Sequence, residues 1–151
     1  MSETRQIAIN RRARYDYFIS DEFEAGIVLV GSEVKALREG KGNLTDAHAA
    51  ITRGELWLYN MFIGHFDKAN QFNHENTRPR KLLVHKEEIR RLIGKTKEKG
   101  LTLVPLRMYW KEGKVKVELG LGKGKKNYDK RATESERDAK RETERAVKIS
   151  V

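Results

Sequence analysis

The sequence predicts a mainly β fold with flanking helices: a small closed β-barrel of about six strands, followed by a basic carboxyl-terminal tail. Short apolar runs separated by glycine-containing turns predict the strands, and two amphipathic segments predict the helices. Large apolar side chains become rare after residue 122, so the chain divides into a body, residues 1–122, and a tail, residues 123–151. An open α+β sheet is the alternative to the barrel.

The composition limits the class of protein. A length of 151 residues is that of one domain with its own core. Lysine and arginine number 32 against 22 acidic residues, and the net charge of +10 favours nucleic acid or an anionic membrane as partner. The sequence has no apolar run long enough to span a bilayer, no signal-peptide core and no cysteine, so a cytoplasmic location is expected.

Three elements are predicted before residue 41. Residues 7–9 suit a short strand, and the β-branched run at 27–30 predicts a well-buried strand. Ser32 to Glu39 should form a helix, because Ser32 can cap it, apolar residues recur on one face and Gly40 follows as a stop.

A hairpin and a long loop follow. Residues 44–52 and 56–63 predict two strands joined by a turn at Arg53-Gly54. Between 64 and 80 the apolar pattern dissolves into glycine, asparagine, histidine and proline. A loop of this length is usually functional or mobile.

The second half of the body gives the clearest signals. Residues 85–99 predict a helix, with acidic residues early, lysines late and a glycine stop. Residues 101–110 and 115–121 predict a second hairpin, and Pro105 indicates an edge or a bulge.

The tail has the composition of a segment that does not fold alone. Its few large apolar side chains are too few to offset the entropy of ordering the backbone. They are Tyr128, Val147, Ile149 and Val151. The glycine–lysine run at 122–126 predicts a flexible joint, and we expect the tail to be disordered in the free protein.

The tail nevertheless carries helix signals. Thr133 to Glu136 is a capping-box pattern, and arginines recur at 137, 141 and 145. Like charges along one stripe repel each other in water but are neutralised along a phosphate backbone. The hypothesis is a helix that forms when RNA is bound.

Neither a metal site nor an enzyme is indicated. The four histidines lack the spacing of metal ligands, and the carboxylates are interleaved with lysine and arginine as on a solvated surface. The three glycines at 120–124 do not follow the phosphate-loop spacing. We therefore expect no catalytic residues, no metal and no cofactor.

Three basic clusters instead suggest RNA binding. They are residues 11–14, 78–81 and 123–131, and the aromatic residues interleaved with them are Tyr15, Tyr17, Tyr109, Trp110 and Tyr128. Aromatic faces beside cations suit unstacked bases and backbone together. We expect Trp57, Tyr59 and Trp110 to lie in the core, whereas Tyr128 lies beyond the folded body. Among small barrels, the oligonucleotide-binding fold is the commonest that suits this role.

Several ordered blocks of sequence also resemble a known family. The blocks begin at Asn10 (NRRARY), Phe23 (FEAGI), Glu33 (EVKALR), Arg80 (RKLL), Gly100 (GLTLVPL) and Lys123 (KGKKNYDKR). In this order and spacing they are similar to SmpB, the SsrA-binding proteins of bacteria, over nearly everything from residue 10 to about 148.

The resemblance implies an oligonucleotide-binding barrel that holds the tRNA-like domain of transfer-messenger RNA in trans-translation. The complex would enter the A site of a ribosome stalled on a message without a stop codon. The protein would replace the anticodon arm, and its tail would occupy the decoding centre and the empty message channel. Elongation factor Tu and alanyl-tRNA synthetase would be further partners through the RNA.

The resemblance also assigns residues. On the RNA-binding face it places Asn10, Glu24, Leu83 and Lys116, to which the basic pattern adds Arg11, Arg12 and Arg14 as phosphate contacts. In the decoding centre it places Gly124 as a hinge, Tyr128 as a stacking group, and Lys125, Lys126, Asp129, Lys130 and Arg131. Two other classes stay open: a general RNA-binding barrel of ribosomal or initiation-factor type, and a nuclease.

Overall fold

The computed structural model describes residues 4–66 and 73–149, and only the backbone of residues 142–149. The strands are β1 (Thr4–Ile9), β2 (Tyr17–Ile27), β3 (Gly42–Asn43), β4 (His48–Thr52), β5 (Glu55–Tyr59), β6 (Phe62–Ile63), β7 (Arg80–Leu83), β8 (Thr102–Lys111) and β9 (Lys114–Gly124). The helices are α1 (Ala13–Asp16), α2 (Gly31–Arg38), α3 (Lys86–Glu98) and α4 (Asn127–Ile149). The protein is mainly β with flanking helices, as predicted.

Seven of the strands form one antiparallel sheet in the order β1-β8-β9-β2-β7-β5-β4. Strands β3 and β6 form a separate two-stranded ladder. The long strands β2, β8 and β9 lie side by side. Their outward-facing side chains therefore form one continuous surface.

The predicted closure of the barrel is wrong. The hydrogen-bonded sheet ends at β1 on one side and at β4 on the other, so the described strands form an open sheet. Ile93 and Thr96 of α3 line a cavity of about 410 Å³ together with Ala50 of β4 and Leu103 of β8. Strands β4 and β8 also lie close together, but among the described residues no ladder of hydrogen bonds joins them.

One face of the sheet carries the core. Its fully buried side chains include Leu56, Leu58, Met108, Val117 and Leu119. A second, smaller cluster lies elsewhere, where Ala13 packs with Val104 and Leu106. Because Ala13 begins α1, this cluster holds α1 against the body.

The second strand is longer than the sequence indicated. We expected a well-buried strand at 27–30, but β2 ends at Ile27, and Val28 and Val30 are each 45% exposed. Most of β2 precedes this run, where apolar Phe23 and Ala25 alternate with outward-facing acidic residues. The prediction relied on the β-branched residues at 27–30. A strand that is buried on one face alternates apolar and polar residues and does not form a continuous apolar run, so this signal placed the strand wrongly.

The predicted helix at 32–39 is α2, but Ser32 does not cap it. The residue that precedes the helix is Val30, whose backbone N–H donates to Glu33 Oε1 at 2.9 Å. Ser32 Oγ lies 2.9 Å from His74 Nδ1. The Glu33 carboxylate therefore caps the start of the helix, and the Ser32 hydroxyl instead contacts His74 in the loop between β6 and β7.

Both predicted hairpins are confirmed. Strands β4 and β5 are joined by a turn at Arg53 and Gly54, both with positive φ, and Asn60, at φ 59°, ends β5 before β6 begins. Strands β8 and β9 are joined in the same way, and their register shifts between Pro105 and Arg107, which is the predicted bulge. The loop expected at 64–80 extends into residues 67–72, which lie outside the described residues.

The predicted helix at 85–99 is confirmed as α3, with Leu92 buried in the core. His85 precedes its first turn, and Gly100 follows it with a φ of 63°. Local sequence signals suffice here, since the capping, charge and stop patterns all agree.

The expected flexible joint at 122–126 is partly wrong. Strand β9 continues to Gly124, which pairs with Tyr17. A Cβ on Gly120 would lie 2.7 Å from Ile19 Cγ2, and one on Gly122 would lie 3.0 Å from both Tyr17 and Val104. These glycines therefore allow close packing of the sheet, and the joint between body and tail is limited to residues 125–126.

The tail continues as α4, which begins earlier than the capping-box pattern at Thr133 indicated. The Lys126 backbone N–H donates to Asp129 Oδ2 at 3.3 Å, which supplies the cap at the actual start. The predicted helical conformation is thus present from Asn127 to Ile149. Disorder of the free tail in solution stays a prediction.

Candidate nucleic-acid interface

Three of the predicted RNA-binding residues meet at one cavity on the body. Glu24, Leu83 and Lys116 come from β2, β7 and β9, and together with Gly26 they line a cavity of about 800 Å³. Gly26 pairs with both Leu83 and Lys116 in the sheet, which explains their convergence. Such a volume lies within the range of small-ligand sites in proteins.

The cavity contains both charge signs and an apolar wall. Lys116 and Arg91 supply positive charge, and Glu87 and Glu88 of α3 join Glu24 in supplying carboxylates. The side chain of Leu83 is exposed, at 51%, although it lies at the centre of the sheet. An exposed aliphatic wall beside cations suits a nucleotide better than a bare phosphate.

Glu24 is held in place by two donors. Tyr109 Oη donates a hydrogen bond to Glu24 Oε2, and Lys111 Nζ lies 3.3 Å from the same oxygen. The Tyr109 hydrogen bond, more than any other group, holds the pKa of Glu24 below its usual range. Burial, followed by the hydrogen bond to Glu24, raises the pKa of Tyr109 well above its usual value. The pair therefore stays a neutral phenol and an ionised carboxylate at neutral pH.

Asn10 lies apart from this cavity. Its side-chain Nδ2 donates to the Pro105 carbonyl at 2.9 Å, and its backbone N–H donates to the Leu106 carbonyl at 2.8 Å. Asn10 instead lines two smaller cavities, one bordered by α1, residues 45–48 and the start of β8, and the other between residues 8–12 and 42–45. Asn10 therefore holds the end of β1 against the bulge of β8, and its contact with RNA stays a prediction.

The arginines of the first basic cluster are exposed. Arg12 Nε lies 3.5 Å from Asp16, and Arg14 lies 2.5 Å from Glu22. Exposed ion pairs of this kind contribute little stability, so an approaching phosphate can displace the carboxylates at small cost. These side chains are therefore available as the predicted phosphate contacts.

The two arginines of the second basic cluster bind inside the protein and are not available to RNA as expected, whereas the Lys81 side chain is 41% exposed beside Glu55. Arg80 is completely buried, and its Nε binds Glu33, whose side chain is also inaccessible to solvent. Arg80 also donates to the Met61 carbonyl at 2.6 Å, and Arg78 lies 2.5 Å from the other Glu33 oxygen. A basic run in the sequence is here an internal ion-pair network, which joins α2 to β7.

Backbone and lysine contacts fix the start of the tail. The Lys125 backbone N–H donates to the Asp16 carbonyl at 2.8 Å. Lys125 Nζ donates to the Arg14 carbonyl at 2.9 Å and to Thr133 Oγ1 at 2.8 Å, and Lys130 Nζ lies 3.4 Å from Asp16. The first turns of α4 are therefore attached to α1.

Tyr15 is the centre of this attachment, a role for which the sequence pattern contains no signal. Its Oη donates to Glu134 Oε1 at 2.7 Å, and the Glu134 hydrogen bond is the main cause of the raised pKa of Tyr15. Arg12, Lys130 and Arg137 lie between 5.6 and 6.0 Å from the centre of its ring. We call this set of contacts between Tyr15 and α4 the tail clasp.

Of the remaining predicted tail residues, Asp129 is half-buried and accepts from the Lys126 backbone N–H, and the others are exposed. Tyr128 is 61% exposed, and Lys126 and Arg131 are also exposed. Gly124 has open space where a Cβ would stand, but its backbone is paired with Tyr17 at the end of β9, so its function as a hinge stays a prediction. The side chains of Arg145, Val147 and Ile149, and the whole of Val151, lie outside the described residues.

The structure separates the predicted aromatic residues into two groups. Tyr109 is only 4% exposed, so it cannot stack on a base as expected. Trp57, Tyr59 and Trp110, which we expected in the core, are only half-buried, and Trp110 packs against the core. Only Tyr128 presents most of its ring to solvent, as predicted.

The described residues form neither a group of metal ligands nor a helix that could span a membrane. Within residues 4–66 and 73–149, three or more histidine or carboxylate side chains do not come together in a group that could hold a metal ion. In the same part of the chain, all the helices are too short or too polar to cross a bilayer.

Comparison with known proteins decides the family. A family model described as "SmpB protein" matches residues 7–149. This chain belongs to the SmpB family. An SsrA-binding protein of Symbiobacterium thermophilum is 59% identical to this SmpB chain over 148 residues, covering 97% of this chain and 94% of that relative. One from Shouchella clausii is 56% identical over 147 residues, with the same coverage of 97% and 94%.

A solved structure is also similar to this SmpB chain. It is described as "tmRNA-SmpB: a journey to the center of the bacterial ribosome" and is 52% identical. The match has a TM-score of 0.65 and covers 79% of this chain and 84% of the other. Sequence and fold therefore agree on the family.

Proposed function

We propose that this chain binds the tRNA-like domain of transfer-messenger RNA and delivers it to the A site of ribosomes stalled on messages that lack a stop codon. Family membership supports the proposal, since the relatives are SsrA-binding proteins and the similar solved structure concerns tmRNA, SmpB and the ribosome. The role is one of binding without catalysis, carried out in the cytoplasm. Elongation factor Tu and alanyl-tRNA synthetase would meet the chain through the RNA.

The observation that carries the body's part of this function is the convergence of Glu24, Leu83 and Lys116 on one cavity. These residues are far apart in sequence, yet the family resemblance assigns all three to RNA binding, and the strand alternation also predicts that Lys116 faces outward. Exposed Arg12 and Arg14 add positive charge on α1 and just before it. A body that holds a structured RNA needs both features: a shaped contact and positions for phosphates.

The tail would perform the second part. The excess positive charge of the tail lies at its start, where residues 123–131 contain five lysines and arginines and one aspartate, and Tyr128 and Arg131 are exposed there. We infer that the protein replaces the anticodon arm, with residues 124–131 in the decoding centre and α4 in the empty message channel. A message already present would exclude the helix sterically, so the tail distinguishes a vacant channel from an occupied one.

Truncation tests this division of labour. A chain ending at Lys126 should bind the tRNA-like domain within about threefold of the full chain, because Glu24, Leu83 and Lys116 remain. It should lose essentially all tagging of nascent peptides on stalled ribosomes. The measurements are a binding isotherm and a reconstituted translation assay on a message without a stop codon.

A matched variant of the body makes the test sharper. Lys116→Ala should weaken RNA binding by about tenfold while leaving the tail unchanged. Tagging by this variant should recover when its concentration is raised, whereas the truncated chain should not recover. If truncation lowered RNA affinity as much as it lowered tagging, the division of labour would be wrong.

Two controls address the other classes. Excess bulk tRNA should compete poorly if the chain is specific, and equal competition would favour a general RNA-binding protein. Labelled RNA incubated with the chain and magnesium should stay intact, whereas cleavage would favour a nuclease.

A further inference from the structure

The two oxygens of the Glu24 carboxylate have different surroundings. Oε2 accepts hydrogen bonds from Tyr109 and Lys111. Within the described part of the chain, Oε1 accepts no hydrogen bond. Since Glu24 lines the large cavity, one oxygen is bound by the protein and the other remains for a ligand.

Tyr109 is itself held rigidly. Its ring lies on β8 with only 4% exposure, and the Arg107 guanidinium stacks over it at 4.6 Å from the ring centre. Arg107 Nε in turn binds Glu118 Oε2 at 2.5 Å. Glu118 pairs with Arg107 on one side and with Glu24 on the other in the sheet register. The Arg107–Glu118 pair thus holds the Tyr109 ring in place, and the Tyr109 hydroxyl in turn holds the Glu24 carboxylate.

The charge of Glu24 selects what it can bind. An ionised carboxylate only accepts hydrogen bonds, and it repels a phosphate. A nucleotide offers it neutral donors alone: the N–H groups of its base and the 2′-hydroxyl of its ribose. In a chain of net charge +10, a carboxylate in the candidate RNA site therefore contributes selectivity and not general attraction.

We propose that Tyr109 is a positioning residue that presents Glu24 Oε1 to a neutral N–H or O–H donor of a bound nucleotide. This inference rests on the proposed function, because it assumes that the cavity receives RNA. Leu83 supplies an apolar wall for the base or ribose, and Lys116 supplies the contact to the neighbouring phosphate. Tyr109 touches no RNA itself and acts only through Glu24.

Tyr109→Phe tests the proposal, since it removes the hydroxyl and keeps the buried ring. Its affinity for the transcribed tRNA-like domain should fall by about 5- to 20-fold, because a Glu24 carboxylate that Tyr109 no longer holds in place loses part of its own hydrogen bond to the RNA. The slope of log affinity against log salt should stay unchanged, because no phosphate contact is lost. Tyr59→Phe is the control: Tyr59 Oη contacts Thr52 at 3.1 Å on the exposed hairpin, and its removal should leave affinity unchanged.

Coupling to Glu24 separates positioning from a general structural effect. If Tyr109 acts through Glu24, the double variant Tyr109→Phe with Glu24→Gln should bind as Glu24→Gln alone does. Additive losses, or a Tyr109→Phe affinity equal to that of the unchanged chain, would overturn the inference. Thermal melting of Tyr109→Phe and Tyr59→Phe verifies that both variants fold.

Modified RNA then identifies the donor and provides a test that does not use Tyr109→Phe. Transcripts carry either 2′-deoxyribose or bases without exocyclic amines at the nucleotides that the body protects. On unmodified RNA, the unchanged chain and Glu24→Gln should differ in affinity. If the 2′-deoxy modification removes that difference, the donor is the ribose hydroxyl; if removal of the exocyclic amines does so, the donor is the base. If that difference survives both substitutions, Glu24 binds no such donor and the inference fails. If the unchanged chain does not prefer the tRNA-like domain over bulk tRNA, it is the proposed function that fails.

Discussion

Arg80 in the body and Arg131 in the tail come from similar basic runs but have opposite environments. Arg80 is completely buried and neutralised by Glu33, whereas Arg131 is exposed on α4. The body uses part of its charge to connect its own elements, and the tail keeps most of its charge at the surface. Basic character in a sequence therefore indicates where cations are, but not whether a partner can reach them.

The two regions also differ in what fixes them. The body is held by an apolar core and a continuous ladder of strands. The tail is held at its base by the tail clasp, which consists of exposed polar contacts and cations around one ring. Since exposed polar contacts contribute little, the tail should exchange between arrangements far more readily than the body.

The largest expected effect is in the internal network of the body. Glu33→Gln leaves Arg80 buried without its counter-charge and should lower the free energy of unfolding by about 3–5 kcal/mol. Urea unfolding measures this loss. Glu39→Gln, at the end of α2, is the control. Among the described residues the Glu39 carboxylate makes only an ion pair with Lys41 at 3.1 Å near the surface, so the change should alter stability by less than about 0.5 kcal/mol.

The same network predicts a pH dependence. Burial raises the pKa of Glu33, but the Val30 N–H and the two arginines outweigh it, so the pKa in the folded chain lies below its usual value. The stabilisation is therefore complete above the usual carboxyl pKa, near about 4.3, and is lost as the pH falls through the lower folded-state value. Equal acid sensitivity of Glu33→Gln and the unchanged chain would contradict this.

A smaller effect tests where the body ends. Gly120→Ala places a Cβ 2.7 Å from Ile19 Cγ2 and 3.2 Å from Leu106 Cδ1, which should cost about 1–3 kcal/mol in stability. Gly124→Ala meets nothing within 4 Å and should change stability by less than about 0.5 kcal/mol. Denaturant midpoints compare the two. Equal losses would mean that the packed body extends past residue 122, the boundary we proposed, through Gly124.

The smallest effect concerns the tail clasp. Tyr15→Phe removes the hydrogen bond to Glu134 and keeps the ring, so amide exchange in the first turns of α4 should rise by about two- to fivefold. Exchange in β8 and β9 should not change. Tyr128→Phe, which alters an exposed ring outside the clasp, is the matched control, and an equal rise there would show that the clasp does not hold α4.

Elements with agreeing local signals were predictable. Helix α3 has its charges, stop and apolar stripe within one short segment, and both hairpins have their turn residues between alternating strands. The family resemblance also led to Glu24, Leu83 and Lys116, and the structure places them at one cavity. The position of β2 was not predicted, because the acidic residues on its outward face made this segment look unlike a strand. The alternation of its side chains becomes clear only from its pairing with β9.

The sequence by itself determined the strand and helix content of the body, the basic tail and the family. Composition, alternation and ordered motifs are local properties that need no knowledge of neighbours in space. Only the tertiary structure decided that Arg80 is buried, that the sheet stays open beside α3, that Tyr109 holds Glu24 and that Tyr15 holds the tail. These facts depend on residues brought together from distant parts of the chain, and burial and charge pairing are properties of that assembled environment.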